Sequence, residues 1–169
     1  VFLMIVGAGG VYAVSARYLG QVAFANALKT FNQKSDDKVA EEGIARAISF
    51  DRYNPLYPRA LSQIYFLRAQ AVARSVQNPQ KLLASQEFNN ALNGSINYAQ
   101  SAISIAPLDF DNYRALGKIY EALVPADNAA DAAVAQYKKA LEYAPKNPEL
   151  WYSQGVVYRT QAVATRNAA

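Results

Sequence analysis

Bulky and small side chains alternate along the C-terminal part of this chain at the spacing of a helix. A ring, a glycine four residues on and a tyrosine three further recur as Tyr113, Gly117, Tyr120 and again as Trp151, Gly155, Tyr158. Steps of four and three return to one helix face. Between the two sets Ala133, Tyr137 and Ala140 keep the same rhythm, and Pro145 closes the segment. Upstream, Leu61 and Tyr65 match Leu116 and Tyr120. Earlier still, Phe24, Leu28 and Phe31 begin a helical stretch that Ala40 and Ile44 continue. The pattern predicts seven helices, near 2–33, 37–50, 56–76, 80–106, 109–124, 129–144 and 148–166. Asn54-Pro55, Asn78-Pro79 and Asn147-Pro148 mark helix starts, because proline in a first turn loses no intrahelical bond. Asp36 and Asp127 are N-cap candidates.

Composition points the same way. Of 169 residues, 52% are hydrophobic and twelve are tyrosine, so one all-α domain can bury a core. There is neither cysteine nor histidine. That leaves no disulfide framework or thiolate metal site and removes the commonest general base and metal ligand. The formal charge of +4 comes without a basic block, so no nucleic-acid partner is expected. We expect no catalytic residues, metal or cofactor in this chain.

Val1 to Ala16 carries no charge. Four readings are open. The segment is the end of a transmembrane helix, since a span takes about 20 apolar residues; an apolar helix packed on the core; a signal peptide cut after Val14-Ser15-Ala16, though without a basic start; or a dinucleotide-binding turn. In the last, Gly7 and Gly9 fit, but Tyr12 stands where a small residue is needed and no later strand follows. The first reading divides the chain into residues 1–20, the end of a membrane or apolar helix, and 21–169, the repeat domain.

The order W-x2-L-G-x2-Y, A-x3-F, P resembles the tetratricopeptide repeat, here written in Tyr113 to Tyr158. The resemblance implies an α-solenoid of about seven antiparallel helices and a noncatalytic scaffold for a protein or peptide partner. Tyr113, Gly117, Tyr120, Ala133, Tyr137, Ala140, Pro145, Trp151, Gly155 and Tyr158 would then be its packing residues. The distance from Arg52 to Pro107 exceeds the usual period of about 34 residues. Its extra residues are helix-friendly, so the middle repeat should have two lengthened helices. In this family the first helix of each pair lines a concave groove. Equivalence places Ala25, Arg59, Arg114 and Tyr152 there, with Lys29, Gln63, Lys118 and Val156 one turn later. Lys29, Arg59, Gln63, Arg114, Lys118 and Tyr152 are the candidate binding residues, suited to an acidic peptide. A solvated face is the competing reading.

The order of features, from an apolar helix through ANALKTFN and a long insert to EALVP (Glu121 to Pro125), is also similar to the C-terminal repeat regions of bacterial multi-pass membrane proteins of the O-antigen polymerase or ligase type. That implies a membrane tether through the N-terminal helix and a repeat domain outside the cytoplasm. Any active site would lie upstream of Val1.

The carboxylate pairs Asp36/Asp37 and Asp109/Asp111 sit at helix starts, where acids complement the macrodipole. Glu41/Glu42 reads as a solvated face. Asn93-Gly94-Ser95 matches a glycosylation sequon, a match too short to carry weight.

Overall fold

The computed structural model describes residues 2–34, 36–76, 78–126 and 128–168; side chains are described from Val14 onward, except at 34, 79, 167 and 168. The described residues form eight helices and no strand. They are α1 (Phe2–Lys34), α2 (Asp37–Phe50), α3 (Leu56–Ser75), α4 (Pro79–Ala84), α5 (Gln86–Ile105), α6 (Phe110–Glu121), α7 (Ala129–Tyr143) and α8 (Pro148–Ala168). They pair antiparallel as α1/α2, α3/α5 and α6/α7, with α8 stacked next. The architecture is an α-solenoid of the tetratricopeptide type.

Local sequence explains the boundaries. The Val39 N–H donates to Asp36 Oδ1 at 3.1 Å and caps α2. The Lys81 N–H donates to Asn78 Oδ1, with Pro79 in the first turn of α4. Asn147 Oδ1 accepts from the Glu149 N–H ahead of α8. Asp127, the other expected cap, lies outside the described residues; α7 follows Asn128, which sits at φ 61 in the left-handed region.

Two boundaries differ from expectation. The helix expected over 80–106 is two, because the Ser85 hydroxyl accepts from the Phe88 N–H and holds its own backbone extended. The sixth helix stops at Glu121 instead of 124: the Leu123 and Val124 N–H groups donate to the carbonyls three residues back, at Tyr120 and Glu121, so the chain leaves the α-helix in turns ahead of Pro125. The lengthened middle helices are present. Both α3 and α5 have 20 residues, against 12 and 15 in α6 and α7. Their extension has its own small core of Ala69, Phe88 and Ala91, closed by Val72 and Leu82.

The expected domain boundary near residue 20 falls inside the unbroken α1. No helix among the described residues is long and apolar enough to cross a membrane. The expected membrane segment, Val1 to Ala16, falls almost wholly on residues whose side chains lie outside those described.

Aromatic rings set the spacing of the stack. Tyr137 is completely buried, and its ring fills the space left by Gly117, where a Cβ would come within 2.7 Å of the ring. Ala133 and Ala140, on the same face of α7, are also fully buried. The middle pair uses the same device with the roles exchanged: the Tyr65 ring on α3 lies against Gly94 on α5. Tyr113 and Trp151 secure the turns before their helices. The Tyr113 hydroxyl donates to the Pro107 carbonyl at 2.8 Å, and the Trp151 indole N–H to the Pro145 carbonyl at 3.0 Å.

The last repeat corrects the expected packing set. Trp151, Gly155 and Tyr158 are exposed, and a Cβ on Gly155 would touch nothing. Tyr113, Gly117 and Tyr120 are covered by α7, but no described helix covers the corresponding face of α8. Pro145 is exposed too, and it contributes its carbonyl rather than packing.

Glu41 is also not the solvated acid expected. It accepts a hydrogen bond from the Tyr65 hydroxyl and pairs with Arg68 at 3.3 Å, while Glu42 is exposed. Burial, then the bond to Glu41, raises the Tyr65 phenol from 10.0 to about 12. Burial and Glu121 push the Tyr137 phenol up as well. Both rings stay protonated in the fold at pH values where an unfolded tyrosine ionises. Their contribution is therefore complete below about pH 10 and is lost as pH rises above it, through about 12 for Tyr65 and higher still for Tyr137. Thermal melts across that window should fall steadily. A melting temperature that holds level from pH 9 to 12 would remove these two tyrosines from the stability argument.

Candidate groove on the first helices

The first helices of successive pairs bring four of the predicted residues to one place. Arg59 and Gln63 stand one turn apart on α3, and Arg114 and Lys118 one turn apart on α6. The i,i+4 spacing aims each pair along one face. All four line a cavity of about 350 Å³, together with Phe24 from α1, Leu56 and Asp111. Lys29 and Tyr152 are exposed on α1 and α8 and do not line it.

The cations are already engaged. Arg59 Nη1 lies 3.0 Å from Asp109 Oδ2 and 3.9 Å from Asp111 Oδ2, and it donates to Asn112 Oδ1 at 3.2 Å. Arg114 holds Asp111 at 2.7 Å with one nitrogen and Glu149 at 2.6 Å with another. Lys118 Nζ reaches the second Glu149 oxygen at 2.8 Å. Charges thus alternate along the face: Asp109, Arg59, Asp111, Arg114, Glu149, Lys118. The Lys118 hydrogen bond, reinforced by Arg114, holds the Glu149 carboxyl below the usual carboxylate range. The face is neither a bare anion clamp nor a row of separately solvated charges.

The acids Asp109, Asp111 and Glu149 and the amide Asn112 are the members that sequence reasoning missed. Asp109 does cap α6, accepting from the Asp111 N–H at 3.0 Å, but it also turns toward Arg59. Asn112 is fully buried and donates to the Ala102 and Ala106 carbonyls, tying the end of α5 to α6. A signal was present. Asp111 precedes Tyr113 by two residues, as Glu149 precedes Trp151. In each case that acid reaches back to the arginine of the preceding repeat, Arg59 or Arg114.

Pairs of this kind, about a quarter to a half exposed, stabilise a fold by no more than about 1 kcal/mol each. They orient side chains more than they hold helices together. Nothing in the groove pairs a nucleophile with a base. Among the described residues, no cluster of three or more acidic, histidine or cysteine side chains could hold a metal ion.

Comparison with known proteins fits this architecture. The family model described as TPR repeat matches residues 128–161, which cover α7 and two thirds of α8. No curated protein sequence matches. Among solved structures, the chain is similar to the first TPR of Spaghetti (RPAP3) bound to the HSP90 peptide SRMEEVD. There the TM-score is 0.64 and the identity 17%, over 86% of this chain and 95% of that one. The MamA protein matches at a TM-score of 0.39 and 17% identity, over 93% of this chain and 86% of that one.

Proposed function

We propose that this chain is a noncatalytic scaffold that holds an acidic peptide segment of a partner protein along the groove formed by α3 and α6. The supporting observation is the convergence of Arg59, Gln63, Arg114 and Lys118 on one cavity with apolar walls at Phe24 and Leu56. Guanidinium groups bind carboxylates with directional hydrogen bonds, and the apolar wall accepts side chains between them. A TPR of similar fold is bound to the peptide SRMEEVD, and we extend that mode of use to this groove.

Arg114→Glu tests it. The substitution would set a third carboxylate beside Asp111 and Glu149 and leave Lys118 as the nearest cation. Affinity for a fluorescein-labelled hexaglutamate peptide should fall about 10-fold or more. Binding of the unaltered chain should also weaken as salt is raised. Equal affinity in both chains would exclude the groove.

Beyond binding, we infer that the N-terminal helix tethers the scaffold to a membrane and displays the repeats outside the cytoplasm. Support comes from the uncharged run Val1 to Ala16, in which Val14 is exposed, and from the exposed Tyr18, Leu19 and Val22 that follow Arg17 on α1. The full chain should float with phosphatidylcholine vesicles in a density gradient; recovery in the bottom fraction would refute the tether. The alternative, an accessory repeat domain of an O-antigen-type polymerase or ligase, requires many apolar spans encoded upstream of Val1.

A further inference from the structure

We propose that Glu149 is a built-in occupant of the groove's carboxylate subsite, and that it decides which ligands enter. This rests on the groove-binding reading and adds a gate to it. Glu149 spans Arg114 and Lys118 with its two oxygens, at 2.6 and 2.8 Å, as an incoming carboxylate would. It belongs to the first turn of α8, and its N–H is taken by Asn147, so the backbone that presents it is fixed independently of the side chain. The Glu149 side chain is 45% exposed, so water reaches the pair and can take over its hydrogen bonds when a ligand displaces it.

The consequence is competition. A ligand bringing one carboxylate exchanges one anion for another on the same two cations and gains almost nothing. The displaced Glu149 also stays tethered nearby and repels it. A segment with several successive acids can replace Glu149 at Arg114 and Lys118 while further carboxylates take hydrogen bonds from the Gln63 amide in the same cavity. The selected ligand class is therefore a run of acids rather than an isolated one.

Glu149→Gln removes the competing charge and keeps the side-chain length. Exposed ion pairs of this type are weak, so hexaglutamate affinity at low salt should rise about 2- to 10-fold. Glu42→Gln, at an exposed position on α2 away from the groove, makes the same change in net charge and should stay within about twofold of the unaltered chain. A gain at Glu149 and none at Glu42 supports the gate. Equal gains, or no gain at Glu149 while Arg114→Glu still weakens binding, overturn the gate and leave the groove standing. If hexaglutamate binds neither the unaltered chain nor Glu149→Gln, both readings fall together.

Discussion

Tyr137→Ala should destabilise the chain by about 3–5 kcal/mol, the usual cost of deleting a fully enclosed ring. Tyr137 has no exposed surface and sits in the cluster formed by Tyr113, Ala133, Val134, Ala140, Leu150 and Val157. It touches the helices on both sides of α7, so the cavity left behind cannot be closed by moving a single element. At this chain length each kcal/mol lowers the melting temperature by about 2–4 °C, giving a drop on the order of 10 °C. Tyr137→Phe keeps the ring and loses the hydroxyl's bonds, chiefly the one to the Glu121 carboxylate, so its cost should be about 1.5–3 kcal/mol. Tyr152→Ala is the surface control; at 71% exposure it should change stability by no more than about 0.5 kcal/mol. Denaturant titrations give all three values. A Tyr137→Ala cost close to that of Tyr152→Ala would deny the α6–α7–α8 core.

Glycines at equivalent repeat positions should respond to the same substitution with opposite signs. A Cβ at Gly117 would lie 2.7 Å from the Tyr137 ring, inside contact distance, and that buried ring has no room to retreat. Gly117→Leu therefore overpacks the interface, at a cost of about 1–3 kcal/mol or more. Gly155 occupies the same place in the next repeat, yet a Cβ there would meet nothing within 4 Å. Gly155→Leu should raise stability by up to about 1 kcal/mol, because glycine is the poorer helix former. The contrast separates packing from helix propensity, which favours leucine at both sites. Destabilisation of equal size at both positions would show that the Gly155 face is covered.

Helix number and pairing were largely legible before any coordinates. The ring-and-glycine spacing is a direct image of how α6 and α7 nest, so Gly117, Ala133, Tyr137 and Ala140 could be placed from the pattern alone. The same pattern misled at Trp151, Gly155 and Tyr158. Periodicity shows which face is prepared for packing, but not whether another element covers it. Gly94 was hidden for a related reason: its partner, Tyr65, lies on the first helix of the pair instead of the second. Ser85 looked like one polar residue in a helical run, and only its bond to the Phe88 N–H makes it a cap.

The groove was half legible. Repeat equivalence aligned Arg59 with Arg114 and Gln63 with Lys118, and the structure brings all four to one cavity. Of the acids that answer them, the sequence marks Asp109 and Asp111 as helix-start residues and does not single out Glu149. Local sequence explains Asp109 and Asp111 as N-terminal acids; only the repeat position that Asp111 shares with Glu149 signals that they also face a helix about fifty residues earlier. Lys29 and Tyr152 failed to join the cavity because equivalence fixes a position along the helix, but not the distance between neighbouring repeats.

The most direct test of a groove that binds acidic segments is to map where such a segment touches. In a ¹⁵N-labelled sample titrated with hexaglutamate, chemical-shift changes should concentrate on α3 and α6 around Arg59, Gln63, Arg114 and Lys118, and at Glu149 at the start of α8. Changes confined to the second helices α2, α5 and α7, or scattered over exposed lysines with no focus, would contradict it.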